Sequence, residues 1–232
     1  MIELQPMIVL DEIHFGYPEG DFALAVPRFE VGHGERVVLV GPSGSGKTTI
    51  LNLVAGIVVP SRGRVRVAGE EISGTSDSAR RAFRVGQIGL VFQEFELLEY
   101  LSVLDNILLP YRIHPSLRLT ADVRKRARSL AARLGIDHVL RRPPARLSHG
   151  ERQRAAVCRA LVTQPALLLA DEPTGNLDPN NKGRVMDALF EISKENGATL
   201  LTVTHDHNLV PRFDRVVDTK EFYVGGAAGG AA

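Results

Sequence analysis

The chain has 232 residues, of which 44% are hydrophobic and 24% charged, and its formal net charge is only +1. This length allows one sizeable core with a small second lobe, and the charge balance gives no overall field that would favour nucleic acid or an acidic partner. A single cysteine, Cys158, excludes an internal disulfide framework.

The sequence also argues against segments that would carry the chain into or across a membrane. No apolar run reaches about 18 residues, so we expect no membrane-spanning helix. The amino-terminal residues include Glu3 and no basic stretch, which is unlike a signal peptide. We therefore expect a cytoplasmic protein.

The first predicted elements form a β hairpin. Residues 7–15 and 22–31 alternate or run apolar, and a Gly-Tyr-Pro-Glu-Gly turn separates them, which is typical of two antiparallel strands. A short apolar strand follows at 36–40. The sequence therefore predicts an amino-terminal antiparallel β subdomain that leads into a buried strand.

The next segment carries the pattern of a phosphate-binding loop. An apolar strand, the motif G-x-x-x-x-G-K-T and an apolar helical segment succeed one another, which is the context that the motif requires. Glycines let successive N–H groups point at an anion, and the helix adds the positive end of its dipole. The alternative is a turn that matches by chance, and the flanking strand and helix argue against it. The predicted nucleotide-binding residues here are Gly41, Pro42, Ser43, Gly44, Ser45, Gly46, Lys47, Thr48 and Thr49.

Two of these side chains have distinct predicted roles. Lys47 can reach the β- and γ-phosphates of a nucleoside triphosphate, and the hydroxyl of Thr48 can bind Mg²⁺. A short strand over 64–67 and a buried strand over 88–92 follow, and Gln93 stands at the end of the latter.

Between about residues 94 and 150 the sequence changes to helical spacing. Leucines recur at that spacing with Pro110 as a breaker, and Thr120 is a predicted N-cap of a helix that runs to about Leu134. We predict an α-helical subdomain inserted in an α/β core. Lysine and arginine crowd residues 124–146, which could suit a membrane or nucleic acid, but the absence of interleaved aromatic residues favours a solvated helical face.

After this insertion the α/β alternation returns, with a helix over 151–161, a strand over 166–170, a helix over about 181–195 and a strand over 199–203. The predicted fold is a P-loop NTPase core with a mostly parallel sheet, in a single domain over 1–224. Residues 225–232 are of low complexity, and we predict a disordered tail.

The strand over 166–170 delivers two carboxylates at its carboxyl end, the edge at which open α/β sheets place their sites. There Asp171 can hold Mg²⁺, and Glu172 can polarise an attacking water as a general base. An acidic pair after a strand is often only solvated, but the phosphate loop in the same chain favours the functional interpretation.

The segment Leu147-Ser148-His149-Gly150-Glu151-Arg152-Gln153 begins the next helix. By itself it is an ordinary helix start, with Ser148 as N-cap and Glu151 in the first turn. Together with the phosphate loop it resembles the signature motif of the ATP-binding-cassette (ABC) ATPases. The order and spacing of the motifs are those of the family over roughly residues 8–218.

The resemblance assigns roles around one ATP molecule. It implies that Tyr17 stacks on adenine and that Gln93 senses Mg²⁺ and the attacking water and links to a transmembrane partner. Asp171 matches the Mg²⁺-associated aspartate and Glu172 the catalytic glutamate. His205 matches the histidine that contacts the γ-phosphate.

The resemblance also implies a dimer. In this family the signature residues, here Ser148, His149, Gly150 and Glu151, face the nucleotide of a second subunit, and Asp178 matches a loop that crosses the dimer interface. His149 departs from the family pattern, since glycine usually stands there. A side chain at this position needs a backbone conformation that a residue other than glycine tolerates.

Within the family, the Asp171–Asp178 segment and the form of the signature resemble the subgroup of the lipoprotein-releasing, macrolide-exporting and cell-division ATPases (LolD, MacB and FtsE). The implied function is ATP hydrolysis by a homodimer that drives transmembrane permease subunits from the cytoplasmic face of the inner membrane, with ATP and Mg²⁺ as cofactors and no nucleic acid as partner. One alternative is a soluble ATP-dependent switch protein, which lacks support because neither a coiled-coil insertion nor a second cassette is present. The other is a small-molecule kinase, which would leave the signature and His205 without a role. The cargo is not readable from this sequence.

Overall fold

The computed structural model describes residues 5–175, 177 and 179–222. The predicted tail at 225–232 and the predicted site residue Asp178 lie outside these ranges. The strands are β1 (Ile8–Gly16), β2 (Ala23–Val31), β3 (Arg36–Val40), β4 (Arg62–Val67), β5 (Glu70–Glu71), β6 (Ile88–Val91), β7 (Leu167–Asp171), β8 (Thr199–Val203) and β9 (Arg215–Asp218). The α-helices are α1 (Lys47–Val54), α2 (Asp77–Gln87), α3 (Val103–Ile107), α4 (Pro110–Ile113), α5 (Ala121–Arg133), α6 (His149–Leu161) and α7 (Pro179–Asn196).

The amino-terminal half folds largely into an antiparallel sheet with the strand order β2-β1-β4-β5. The predicted hairpin is present, since β1 pairs with β2 along its length. The alternation of β1 is interrupted between Asp11 and His14, where its register against β4 shifts. At this irregularity Glu12 has a positive φ of 50°, so the next inward-facing side chain after Leu10 is that of Ile13.

The second sheet is parallel, with the order β6-β7-β8-β3-β9. Every residue of β7 and β8 is buried, as expected for strands covered on both faces. Alternate residues enter two cores: Leu167 and Leu169 pack towards α1 and the antiparallel sheet, while Leu168 and Ala170 pack towards α5, α6 and α7. This arrangement confirms the predicted α/β fold class.

Four helices, α3 to α6, lie between β6 and β7 in the chain, where the sequence predicted a helical insertion. Thr120 caps α5 by accepting a hydrogen bond from the N–H of Val123. The fully buried Asn106 fixes the segment before α3, because its side chain accepts from the N–H of Leu98 at 2.8 Å and donates to the carbonyls of Leu98 and Ser102, each at 3.1 Å. Buried Cys158 belongs to the core of α6, and burial raises the pKa of its thiol.

The sequence analysis missed three elements, and several predicted boundaries differ from the observed ones by one or two residues. It did not predict β5, α2 or β9. No residue of α2 is buried, although Ser76 caps it. The helix predicted from residue 151 begins at His149. Within the ranges that the structure describes, no helix is both long and apolar enough to cross a membrane.

The close packing of β6 gives a test of this fold. A Cβ atom on Gly89 would lie 2.4 Å from the carbonyl oxygen of Ala160 and 2.7 Å from a methyl carbon of Leu168. We expect Gly89→Ala to lower the free energy of unfolding by about 1–3 kcal/mol, as overpacking does, measured by urea denaturation. Gly86→Ala on helix α2 is the matched control, since a Cβ at Gly86 would meet nothing within 4 Å. We expect this change to raise the free energy of unfolding by about 0.5–1 kcal/mol. Equal stability of the two variants would contradict this packing.

Candidate nucleotide-binding and catalytic site

The phosphate loop joins β3 to α1 and is held by a turn far away in the sequence. The hydroxyl of Thr219, which follows β9, donates to the carbonyl of Val40 at 3.1 Å and lies 2.6 Å from the hydroxyl of Ser45. Gly41 has a φ of +147°, and a Cβ there would lie 2.4 Å from the Thr219 hydroxyl. Glycine is therefore required at the start of the loop.

The other end of the loop sets the position of Lys47. Gly46 caps α1 with a left-handed φ of 88°, so Lys47 is the first residue of the helix. Its ammonium group donates to the carbonyls of Gly41 at 2.9 Å and Pro42 at 2.7 Å. The cation thus lies across the mouth of the loop, beside the helix amino terminus at which an anion would bind.

Thr48 and Asp171 meet where α1 approaches the end of β7. The hydroxyl of Thr48 donates to Oδ2 of Asp171 at 2.8 Å. Burial raises the pKa of Asp171, and the hydrogen bond from Thr48 opposes this rise only in part. A buried carboxylate beside a hydroxyl presents the oxygen ligands that Mg²⁺ prefers, so these residues fit the metal that the sequence analysis expected.

Glu172 adopts a strained backbone at the end of the same strand. Its φ is 46°, a conformation that a residue with a side chain rarely adopts and that is typical of functional sites. Its Oε1 lies 2.8 Å from Nδ1 of His205, and the backbone N–H of His205 donates to its Oε2 at 3.4 Å. The carboxylate is largely buried, whereas the imidazole of His205 is exposed.

These groups face one cleft of about 300 Å³. Gln93, two residues after β6, lines this cleft together with residues of the phosphate loop. The lining residues are Ser43, Gly44, Lys47, Thr48, Gln93, His149, Gln153, Asp171, Glu172, Gly175, Val203 and His205. Of the predicted signature residues, His149 lines the cleft, while Ser148, Gly150 and Glu151 are not among these residues.

A second depression of about 290 Å³ adjoins the loop on the side of the antiparallel sheet. Tyr17 lies here, with its hydroxyl 3.2 Å from that of Thr49 and its ring 5.6 Å from Phe22. An aromatic face beside a phosphate loop suits a stacked base. Phe22 also lines this depression and was not predicted; its position directly after the hairpin turn was the available signal.

The signature segment forms a capping box at the start of α6. The carboxylate of Glu151 accepts hydrogen bonds from the backbone N–H and the hydroxyl of Ser148, both at 2.8 Å, and lies 3.2 Å from Nε2 of His138. Burial acts to raise the pKa of Glu151, but the two hydrogen bonds from Ser148 and the nearby His138 lower it overall. A carboxylate thus already occupies the donors of Ser148.

His149 stands at the first position of α6 and has no positive φ. The backbone conformation at position 149 is therefore one that a residue other than glycine tolerates, although glycine usually stands there in the family. The imidazole packs edge-to-face on Phe95, with ring centroids 4.6 Å apart.

Gln153 is the last residue of the signature segment but was not among the predicted site residues. It lies one turn after His149 on the same face of α6 and is 2% exposed. Within the described residues its Nε2 has no hydrogen-bond partner. Its place at the end of the signature segment was the available signal in the sequence.

The parallel sheet, the phosphate loop and the acidic pair define a P-loop nucleoside triphosphatase. The sequence profile described as ABC transporter matches residues 24–175, and the chain belongs to this family. It is 43% identical over 204 residues to the lipoprotein-releasing system ATP-binding protein LolD of Pseudomonas fluorescens, covering 88% of this chain and 89% of the relative. LolD of Gluconobacter oxydans is 45% identical over 198 residues, covering 85% of each chain.

The fold has solved counterparts of the same kind. A dimeric ATP-binding cassette, MJ0796, in a post-hydrolysis state bound to ADP and phosphate superimposes with a TM-score of 0.83 at 31% identity, covering 91% of this chain and 94% of that one. The protein is therefore an ATP-hydrolysing subunit of the ABC transporter class.

The electrostatics of Asp171 give a test of the site. The pKa of Asp171 is raised in the folded state, so ionisation of this carboxyl lowers the free energy of unfolding. This loss is present at neutral pH and disappears as the pH falls through the raised pKa. We expect Asp171→Asn, which can still accept from Thr48, to be more stable than the wild type at pH 7 without Mg²⁺, with the difference shrinking towards pH ~4.

Asp214→Asn is the control of opposite sign. The hydrogen bond with Arg36 lowers the pKa of Asp214, so its contribution to stability is present at neutral pH and lost in acid. We expect this variant to be less stable than the wild type at pH 7. Urea denaturation at several pH values measures both, and a destabilised Asp171→Asn at pH 7 would contradict the interpretation.

Proposed function

We propose that two copies of this chain close around two ATP molecules and drive a membrane-embedded partner of the lipoprotein-releasing or macrolide-exporting kind. The observation that carries the proposal is the division of the site. The phosphate loop, acidic pair, Gln93 and His205 share one cleft; of the signature residues His149 borders it, while Ser148 and Gly150 lie outside its lining. The names of the relatives support the kind of task.

In the proposed reaction, water attacks the γ-phosphate in line and the bond between the β- and γ-phosphates breaks. Lys47 and the loop N–H groups bind the phosphates, and Tyr17 stacks on the base. Thr48, Asp171 and Gln93 would hold Mg²⁺, which when bound neutralises charge on the phosphate oxygens. Glu172 accepts the proton of the attacking water.

His205 and Glu172 act together in this scheme. Their contact at 2.8 Å gives the carboxylate a partner before the reaction. When the γ-phosphate binds the exposed imidazole of His205, the carboxylate of Glu172 is free to accept a hydrogen bond from water. The strained backbone of Glu172 holds this carboxylate at the sheet edge.

In the closed dimer, the residues at the start of α6 complete the site of the other subunit. Ser148, His149 and Gly150 present a hydroxyl and helix N–H groups to the γ-phosphate, and Asp178 belongs to the interface. The incoming phosphate must displace the carboxylate of Glu151 from the donors of Ser148. We assign residues 1–224 to one domain, in which the helical subdomain over about 94–150 presents these groups.

In this proposal the membrane-embedded partner binds in an apolar groove of the chain. This contact would hold the chain at the cytoplasmic face of the membrane. This groove, of about 190 Å³, lies between β6, α2, α4 and α6 and continues into the segment of Gln93. Its lining includes Phe92, Leu109 and Ile113, the last of which is 62% exposed. A short amphipathic helix of a permease subunit has the apolar face that such a groove requires.

We expect Glu172→Gln to bind ATP and to accumulate as an ATP-bound dimer, because it lacks the base for hydrolysis. Adding Ser148→Ala to this variant should abolish the dimer while each monomer still binds ATP. Size-exclusion chromatography with ATP and Mg²⁺, together with a phosphate-release assay, measures both effects.

The control for lost helix capping is Thr120→Ala, which removes the N-cap of α5 at a similar cost of about 1 kcal/mol. It should leave the Glu172→Gln dimer intact. Wild-type turnover by Glu172→Gln would contradict the assignment of the base, and a persistent dimer in the Ser148→Ala variant would contradict the shared site.

We expect Ile113→Asp to lose its membrane partner, because a charge would enter the apolar groove. Affinity purification of the tagged chain from detergent-solubilised membranes of its own host should recover a protein with transmembrane helices for the wild type and not for this variant. Ile57→Asp, at an apolar residue that is exposed outside the groove, is the control. If the wild type recovers no such protein, the transport proposal fails and the soluble switch is favoured.

A further inference from the structure

The segment that follows Gln93 has an unusual backbone. Phe95 and Glu96 are consecutive residues with left-handed φ values of 56° and 49°. The N–H of Glu96 donates to the carbonyl of Glu94 across Phe95, which closes a tight turn. A turn of this hand is unfavourable for residues that carry side chains, so other contacts must hold it.

Arg159 supplies those contacts from helix α6. One nitrogen of its guanidinium donates to the carbonyl of Phe95 at 2.6 Å, and another donates to the carbonyl of Glu96. The group is largely removed from water, and this desolvation lowers the pKa of Arg159 to about 10, with the charge of Glu96 acting in the opposite direction. Arg159 therefore remains a cation at neutral pH and keeps both donors.

The same helix contacts the turn at a second point. The ring of His149, at the start of α6, packs on Phe95, while Arg159 holds the backbone of Phe95 from the other end of the helix. The turn between the phosphate cleft and the groove is thus fixed to α6 at two points, while the N–H of Phe95 also donates to the carbonyl of Phe92, just after β6, at 3.4 Å.

Arg159 also borders the groove. It lines the groove together with Glu96 and Phe92, and Phe92 directly precedes Gln93, which lines the cleft. A segment that binds in the groove therefore touches the side chain that holds the turn. Only two residues, Glu94 and Phe95, lie between Gln93 and Glu96, so the turn that Arg159 holds directly follows Gln93.

We propose that Arg159 is a positioning residue for ATP hydrolysis, which fixes Gln93 by holding the carbonyls of Phe95 and Glu96 and which transmits occupancy of the groove to the cleft. The proposal rests on the proposed function for the role of Gln93 and for the groove. Arg159 does not touch the nucleotide in this scheme; it acts through the turn.

The test compares Arg159→Met and Arg159→Lys with the wild type. We expect Arg159→Met to lower kcat at least about tenfold, to raise the Mg²⁺ concentration needed for half-maximal rate, and to leave the Kd of a fluorescent ATP analogue without Mg²⁺ unchanged. Lysine keeps the charge but not the fork of two donors, so Arg159→Lys should show a smaller loss in the same direction.

A rescue separates positioning from simple loss of structure. Glycine adopts the left-handed conformation without the steric penalty, so adding Glu96→Gly to Arg159→Met should restore kcat about fivefold. The control is Glu94→Gly in the same background, because Glu94 is exposed and has no positive φ; it should restore nothing. If thermal melting shows that Arg159→Met does not fold, the same comparison in Arg159→Lys decides.

The outcomes separate this inference from the proposed function. A kcat within about twofold of wild type in both arginine variants would overturn the role of Arg159, and so would a rescue by Glu94→Gly as large as that by Glu96→Gly. In those cases the wild type still hydrolyses ATP, so the proposed function stands. A wild type without ATP turnover would remove both.

Discussion

The site depends on the parallel register of four strands. In the order β6-β7-β8-β3, Val91 pairs with Ala170, Asp171 with Val203, and Val203 is the partner of Leu39. Because all four strands run in one direction, the residues directly after each of them meet at one edge. The phosphate loop, the acidic pair, Gln93 and His205 come from four distant parts of the sequence and reach one cleft only through this pairing.

The groups that would bind phosphate already have partners within the chain. Lys47 donates to two carbonyls of its own loop, and the donors of Ser148 are occupied by the carboxylate of Glu151. Nucleotide binding therefore exchanges internal contacts for ligand contacts. The net affinity is the difference between the two sets, and the internal contacts satisfy the cationic and polar groups of the site.

Local patterns in the sequence predicted most of the fold and of the site. The hairpin, the buried strands and the phosphate loop depend on periodicity and short motifs, and the structure has them close to their predicted places. The contact of Ser45 with Thr219 joins residues 174 positions apart, and no local pattern encodes it. Helix α2 presents no buried stripe. Within the described part of the chain the Nε2 of the buried Gln153 has no hydrogen-bond partner, and no pattern in the sequence marks that.

The anchoring of the phosphate loop by Thr219 has a consequence for the order in which the protein is made. Ribosomes add about 5–20 residues per second, so the loop leaves the ribosome well before its anchor. The neighbours of β3, which are β8 and β9, are also synthesised well after it. The nascent chain therefore carries the nucleotide motif without the means to hold its shape. Competence for ATP arrives only once Thr219 and the strands beside β3 have followed.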